Sequence, residues 1–297
     1  MPRAAQINTS VGPLHGVGLF TGKRCSVTIR PSGDGGAGGV LFRRLLPGGH
    51  VDIPALLRHV TSDTAWSGLP KGVPVRNTTL AASPAAITTG ACVATVEHLL
   101  SALAGLGVAD ALIEVEGPEV PILDGSALGF VEALKPTVSP GHGSGPTIVI
   151  RHEATVTDPS GAYIRASPGI GCSMTYRLDY GAGSPLPAQQ ATWDGSAEGF
   201  VHGIAPARTF SLLHEARAAQ EMGLFKHLTP REMLVIGSDG RPVENTLRFS
   251  DEPARHKLLD LIGDLSLLGG RIEGKVVAYR SGHALAHELG RAILEAR

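Results

Sequence analysis

Apolar positions along this chain follow two rhythms that alternate. Residues 25–30 (CSVTIR) set an apolar side chain at every second position, the period of a half-buried strand. A Gly-rich turn at 33–39 leads to a second strand at 40–43, and 67–75 reads as a loop or small insert. Over 95–106, Val96, Leu99, Leu100 and Leu103 fall three and four apart, which predicts a helix. A strand at 111–115 follows. Asp124-Gly125 marks a turn, and Ser126 is placed to cap a helix through 134.

The grammar then repeats. Strands are predicted at 147–150, 162–166 (after a Pro159-Ser160-Gly161 turn), 174–178, 233–236 and 275–279, with a turn at Asp239-Gly240. Helices are predicted at 211–222, ending at Gly223, at 250–268 and at 284–296. The helix at 250–268 is the best signalled in the chain. Ser250 can cap it, Asp251 and Glu252 suit the positive end of its dipole, and Pro253 fits its first turn. Gly269-Gly270 ends it. The segment 135–146, KPTVSPGHGSGP, is rich in Pro, Gly and Ser and reads as a connector. It divides the chain into an N-terminal domain at 1–136, a linker at 137–146 and a C-terminal domain at 147–297. There is no strict sequence repeat. Both halves nevertheless run strands before helices, so the fold class is α+β, with layers packed on each other.

Composition narrows the picture. The chain has 297 residues, of which 42% are hydrophobic and 18% charged, enough for a real core. With 26 Lys+Arg against 27 Asp+Glu the net charge is near zero, which argues against nucleic acid or an anionic membrane as the main partner. No run reaches the length of a membrane helix, and MPRAAQINTSVGP carries no signal-peptide apolar run. Cys25, Cys92 and Cys172 are far apart and form no CxxC pair, so reduced thiols and a cytoplasmic setting are expected.

Three histidine clusters carry candidate chemistry: Glu97-His98, His256 with Asp260 and Asp264, and His283. Residues four apart share a helix face, so His256 and Asp260 project together, with Asp264 one turn further. A catalytic zinc site takes three N/O ligands and leaves a position for water. His98, His256 and Asp260 could supply the three, and Glu97 a general base. His283 could be a cationic acid oriented by Asp264, and Lys257 could add charge at a developing oxyanion. A solvent-facing ion pair is the plainer reading of HxxxD and stays open at this level. No HExxH motif is present; His287-Glu288 comes nearest but lacks a second histidine.

These residues sit in motifs that resemble the UDP-3-O-acyl-N-acetylglucosamine deacetylase family. HGVGLFTGK at 15–23 is similar to its opening motif. ATVEHLLSALAGLGVADALIEVEGPEVPILDGSA at 94–127 resembles its most diagnostic stretch. PARTFSL at 206–212, LRFSDEPARHKLLDLIGDL at 247–265 and AYRSGHAL at 278–285 complete the set in order. The resemblance implies two similar α+β domains, each a sheet with helices on one face, packed helix layer to helix layer around the site. It implies zinc on His98, His256 and Asp260, Glu97 as base, His283 as acid with Asp264 as its partner, and Lys257 as a cation. It also implies that Thr209 helps hold the oxyanion, that Phe210 contacts substrate and that Arg280 can face the nucleotide phosphates. The implied reaction is release of acetate from UDP-3-O-acyl-N-acetylglucosamine, the committed step of lipid A biosynthesis.

The chain departs from the pattern at Phe20, where the family motif reads GVGLH, and at Asn77, where an aspartate is common. It also departs at 223–232 (GLFKHLTPRE), which lacks paired glycines in a region resembling the lining of an acyl-chain passage, and near Gly181, where a histidine is expected. Two alternatives follow: a related zinc hydrolase acting on another N-acetylated sugar or acyl-amide, and a non-catalytic protein that kept the fold. Retention of a costly set of charged residues counts against the second.

Overall fold

The computed structural model describes residues 4–32, 38–68, 76–143, 145–230 and 232–296. Parts of the expected turn at 33–39 and insert at 67–75 lie outside the described residues, as does residue 144 of the connector. The first half carries strands β1 (Ala4–Ile7), β2 (Val11–Val17), β3 (Arg24–Arg30), β4 (Val40–Leu46), β5 (Gly49–Pro54), β6 (Val60–Thr61), β7 (Thr79–Ala81), β8 (Cys92–Ala94) and β9 (Ala111–Glu116). Its helices are α1 (Glu97–Gly105) and α2 (Leu128–Leu134). Strand β10 (Val138–Gly143) follows. The second half carries β11 (Thr147–Val149), β12 (Ala154–Thr157), β13 (Tyr163–Ser167), β14 (Cys172–Leu178), β15 (Gln189–Trp193), β16 (Phe210–Leu212), β17 (Leu234–Ile236) and β18 (Arg271–Tyr279). Its helices are α3 (Ala197–Gly203), α4 (Leu213–Glu221), α5 (Glu252–Ser266) and α6 (His283–Glu295).

The two halves repeat one topology. The first sheet runs β2-β3-β9-β4-β5 and the second β12-β13-β18-β14-β15, with β11 added alongside β18. In each, the last strand enters the middle, antiparallel to one neighbour and parallel to the other. In each, one helix precedes that central strand (α1, α5) and one follows it (α2, α6). Small additions sit at matching places: the sheet β6-β7-β8 before α1, and β16-β17 with α4 before α5.

Alternation makes the sheets one-sided. Val27 and Ile29 of β3 point into the core while Arg24 and Arg30 at the ends of the strand are exposed. Helices α1 and α5 then pack face to face. The crossing is close because Gly263 has no side chain; a Cβ there would lie 2.1 Å from the Glu97 carbonyl oxygen. Leu99 and Leu103 of α1 and Ile262 and Leu265 of α5 belong to one continuous apolar core shared by both halves. That burial supplies most of the drive for the arrangement.

The structure corrects three local expectations. The 135–146 segment is not an open connector throughout, because β10 pairs antiparallel with β1. Ser250 does not cap the long helix: Asp251 occupies that position and makes no side-chain cap bond. Residues 211–212 belong to strand β16 rather than to the helix that follows. Gly269 does end α5, with a positive φ that suits glycine. No helix among the described residues is long and apolar enough to cross a membrane.

Candidate active site

Three side chains from two helices converge. His98 comes from the first turn of α1, and His256 and Asp260 from successive turns of α5. Each offers a ligand atom within 4.8 Å of the others, and all three are buried. Asp260 Oδ1 lies 3.5 Å from His98 Nε2 and 3.4 Å from His256 Nε2. The two imidazole rings stand edge to face, 5.0 Å apart. Two nitrogens and a carboxylate oxygen at this spacing fit a divalent cation of zinc's preferences, whereas a solvent-facing ion pair would not be enclosed in this way.

Neighbouring groups fix the ligand atoms. His256 Nδ1 donates to the Ala207 carbonyl oxygen at 3.1 Å, leaving Nε2 free to face the cluster. Ala207 is itself held, because Arg208 forms a buried, bidentate pair with Glu252 in the first turn of α5. Glu252 thus joins the loop bearing Ala207 to the helix bearing His256. Lys257 Nζ donates to Asp260 Oδ2 at 2.8 Å, so one carboxylate oxygen is neutralised while the other faces the imidazoles. Burial would push the Asp260 carboxyl up, but the Lys257 ammonium holds it well below the usual range. Burial pushes His256 down to about 3, which keeps it neutral. Burial would lower Lys257, but Asp260 and Tyr176 more than offset that and keep it charged.

Further titratable groups border the triad. Glu97, next to His98, is fully enclosed, and burial raises its carboxyl against the pull of His283 and His98. The Thr78 backbone N–H donates to Glu97 Oε2 at 3.1 Å. His283, at the start of α6, donates from Nδ1 to Asp264 Oδ2 at 2.8 Å, and its Nε2 points to Asp260 Oδ2 at 4.0 Å. Burial would lower His283, but the Asp264 carboxylate raises it to about 9. Asp264 is held well below its ordinary value by His283 and His287, despite burial.

Phe210 lies beside this set, its ring edge-on to His256 at 6.4 Å. Thr209, half-buried, has its backbone pinned from both sides, donating to Gly125 O and accepting from Leu234 N. Arg280 is not brought to the triad. It is exposed at the end of β18, its guanidinium lies 5.9 Å from the Tyr279 ring centre, and its charge acts on Asp158 and Asp179.

Four residues to which the sequence assigned no part in the site belong to it here. His287 lies four after His283 on α6, so the shared-face rule could have found it. Arg208, Glu252 and Thr78 reach their partners only through the fold and give no local signal.

A family model for UDP-3-O-acyl N-acetylglycosamine deacetylase matches residues 7–295. The chain belongs to this family. A protein of Synechocystis sp. named UDP-3-O-acyl-N-acetylglucosamine deacetylase is 35% identical over 289 residues, covering 95% of each chain. One of that name from Trichormus variabilis is 37% identical over 287 residues, covering 94% of each. Another from Myxococcus xanthus is 34% identical over 288 residues, covering 96% of this chain and 85% of its own.

Two of the positions at which this deacetylase-family chain departs from the expected motifs, Phe20 and Asn77, make defined contacts, whereas Gly181 is exposed. Phe20 is buried against Trp66 at 6.4 Å and Phe225 at 5.6 Å. His227 Nε2 donates to the Gly18 carbonyl oxygen at 3.0 Å. Asn77 Nδ2 donates to Thr95 Oγ1 at 3.1 Å, a bond an aspartate could not donate.

Proposed function

We propose that this chain hydrolyses the 2-acetamido group of UDP-3-O-acyl-N-acetylglucosamine, releasing acetate and the free amine, with zinc held by His98, His256 and Asp260. The convergence of those ligands beside Glu97 and the His283–Asp264 pair carries the reading, and the names of the relatives support its substrate. Bound zinc supplies Lewis acidity, which acidifies water and polarises an acyl oxygen.

The remaining chemistry belongs to the chain. Glu97 is enclosed, so its carboxylate gains by accepting a proton from the attacking water. Addition of water to the amide carbon develops an oxyanion. Lys257 places a fixed positive charge near it, and the Thr209 hydroxyl is the proposed donor to it. His283 keeps its charge through Asp264 and donates from Nε2 to the departing nitrogen, so that the C–N bond breaks to an amine. Phe210 borders the acyl side, and Arg280 is the proposed basic contact to the nucleotide.

A related amide substrate with a different acyl chain is the second reading, favoured by the Phe20–Phe225 contact. An acetate-release assay across UDP-3-O-acyl-N-acetylglucosamines of varied chain length tests both. Release with one or more of them supports the activity, and the length profile decides the acyl specificity. No release from any of them overturns the substrate assignment.

A further inference from the structure

Thr78 touches both the carboxylate read as base and the partner of the imidazole read as acid. It immediately precedes β7, whose sheet leads through β8 into α1, and it is wholly buried. Its N–H donates to Glu97 Oε2 at 3.1 Å, and its carbonyl accepts from Val96 N at 3.3 Å. Its hydroxyl donates to Asp264 Oδ1 at 2.5 Å and lies 3.1 Å from His287 Nε2 and 3.4 Å from His283 Nδ1. A hydroxyl has a single proton to give. Because that proton goes to Asp264, the Thr78 oxygen must accept from His287, so His287 carries its proton on Nε2. The same nitrogen lies 3.4 Å from Asp264 Oδ1. His283 then donates from Nδ1 to the other oxygen, Oδ2. Asp264 thereby accepts one donor on each oxygen, Thr78 on Oδ1 and His283 on Oδ2, and its orientation sets that of His283.

We propose that Thr78 is the positioning residue that locks the two proton-handling groups into one frame, with His287 holding the Thr78 hydroxyl in place. The proposal rests on the reading of Glu97 as base and His283 as acid. Thr78 need not meet the substrate. Its N–H holds the base, its hydroxyl holds Asp264, and Asp264 holds the acid.

Thr78→Val keeps the backbone N–H and the branched shape but removes the hydroxyl. In the zinc-loaded full chain it should lower kcat by about 10–100-fold, as loss of such an outer partner does elsewhere. KM and zinc content should stay near those of the unaltered protein, and Thr78→Ser should restore most of the rate. A Thr78→Val variant with unaltered kcat, or a Thr78→Ser variant as impaired as Thr78→Val, overturns the role. The ¹⁵N imidazole spectrum of the unaltered zinc-loaded protein gives an answer even if Thr78→Val fails to fold. His283 should carry a proton on Nδ1 and His287 on Nε2; a His287 with bare Nε2 overturns the network. If acetate release is absent while these tautomers are found, the proposed activity fails and the network stands.

Discussion

Glu97 is enclosed at the start of α1 and meets the Thr78 N–H through Oε2. Glu97→Ala should therefore keep zinc but lose about 10²–10⁴ in rate, the usual worth of a positioned acid or base. Equal turnover with zinc retained would remove its role. His283 gives the pH dependence. Its pKa in the folded chain is raised from 6.5 to about 9, so the charged acid persists through neutral pH and is lost as pH rises through about 9. Since the shift is upward, the stability it contributes is fully present below 6.5 and disappears over the same rise. The kcat/KM profile should show an alkaline limb near pH 9 that His283→Ala flattens; an unchanged limb in the variant would contradict the assignment. At this scale the sequence was informative only where spacing is local. His256 and Asp260 are four apart on one helix, and that is visible in a string of letters. The pairing of Asp264 with Thr78 spans 186 positions and is not.

Among the elements, α1 against α5 is the critical contact, because one carries His98 and the other His256 and Asp260. Gly263 lets the backbones meet, and its missing Cβ would otherwise press on the Glu97 carbonyl, which is main chain and cannot swing aside. Gly263→Ala should destabilise the fold by about 1–3 kcal/mol, the range for overpacked cores. It should also lower activity by displacing Glu97 and His98. A denaturant midpoint and rate equal to those of the unaltered chain would contradict that close crossing. The strong elements were legible from periodicity alone: β3, β9, α1, α5 and α6 all lie within a few residues of their expected positions. Weak ones were not. β1 and β10 are short strands of mixed character whose pairing with each other the letters do not show. Ser250 looked like a cap, but Glu252, two residues on, is drawn into the buried pair with Arg208, and the helix begins around that contact instead.

Across the whole molecule, two copies of one sheet-and-helix plan face each other, and each supplies part of the His98–His256–Asp260 cluster. No repeat is visible in the letters, because a topology needs only the pattern of apolar positions, which many sequences satisfy. A cation bridging α1 and α5 should stabilise the folded chain by mass action, by about 2.7 kcal/mol at a hundredfold excess over Kd. The rise in Tm on adding zinc should vanish in His98→Ala; a rise of the same size in that variant would place the metal elsewhere. The most direct measurement is the zinc content of folded protein purified without chelator, alongside Asp260→Ala. About one zinc per chain, lost in the variant, is the expected result for a three-ligand site. A folded, unaltered chain that holds no zinc and takes up none when it is added would contradict the account.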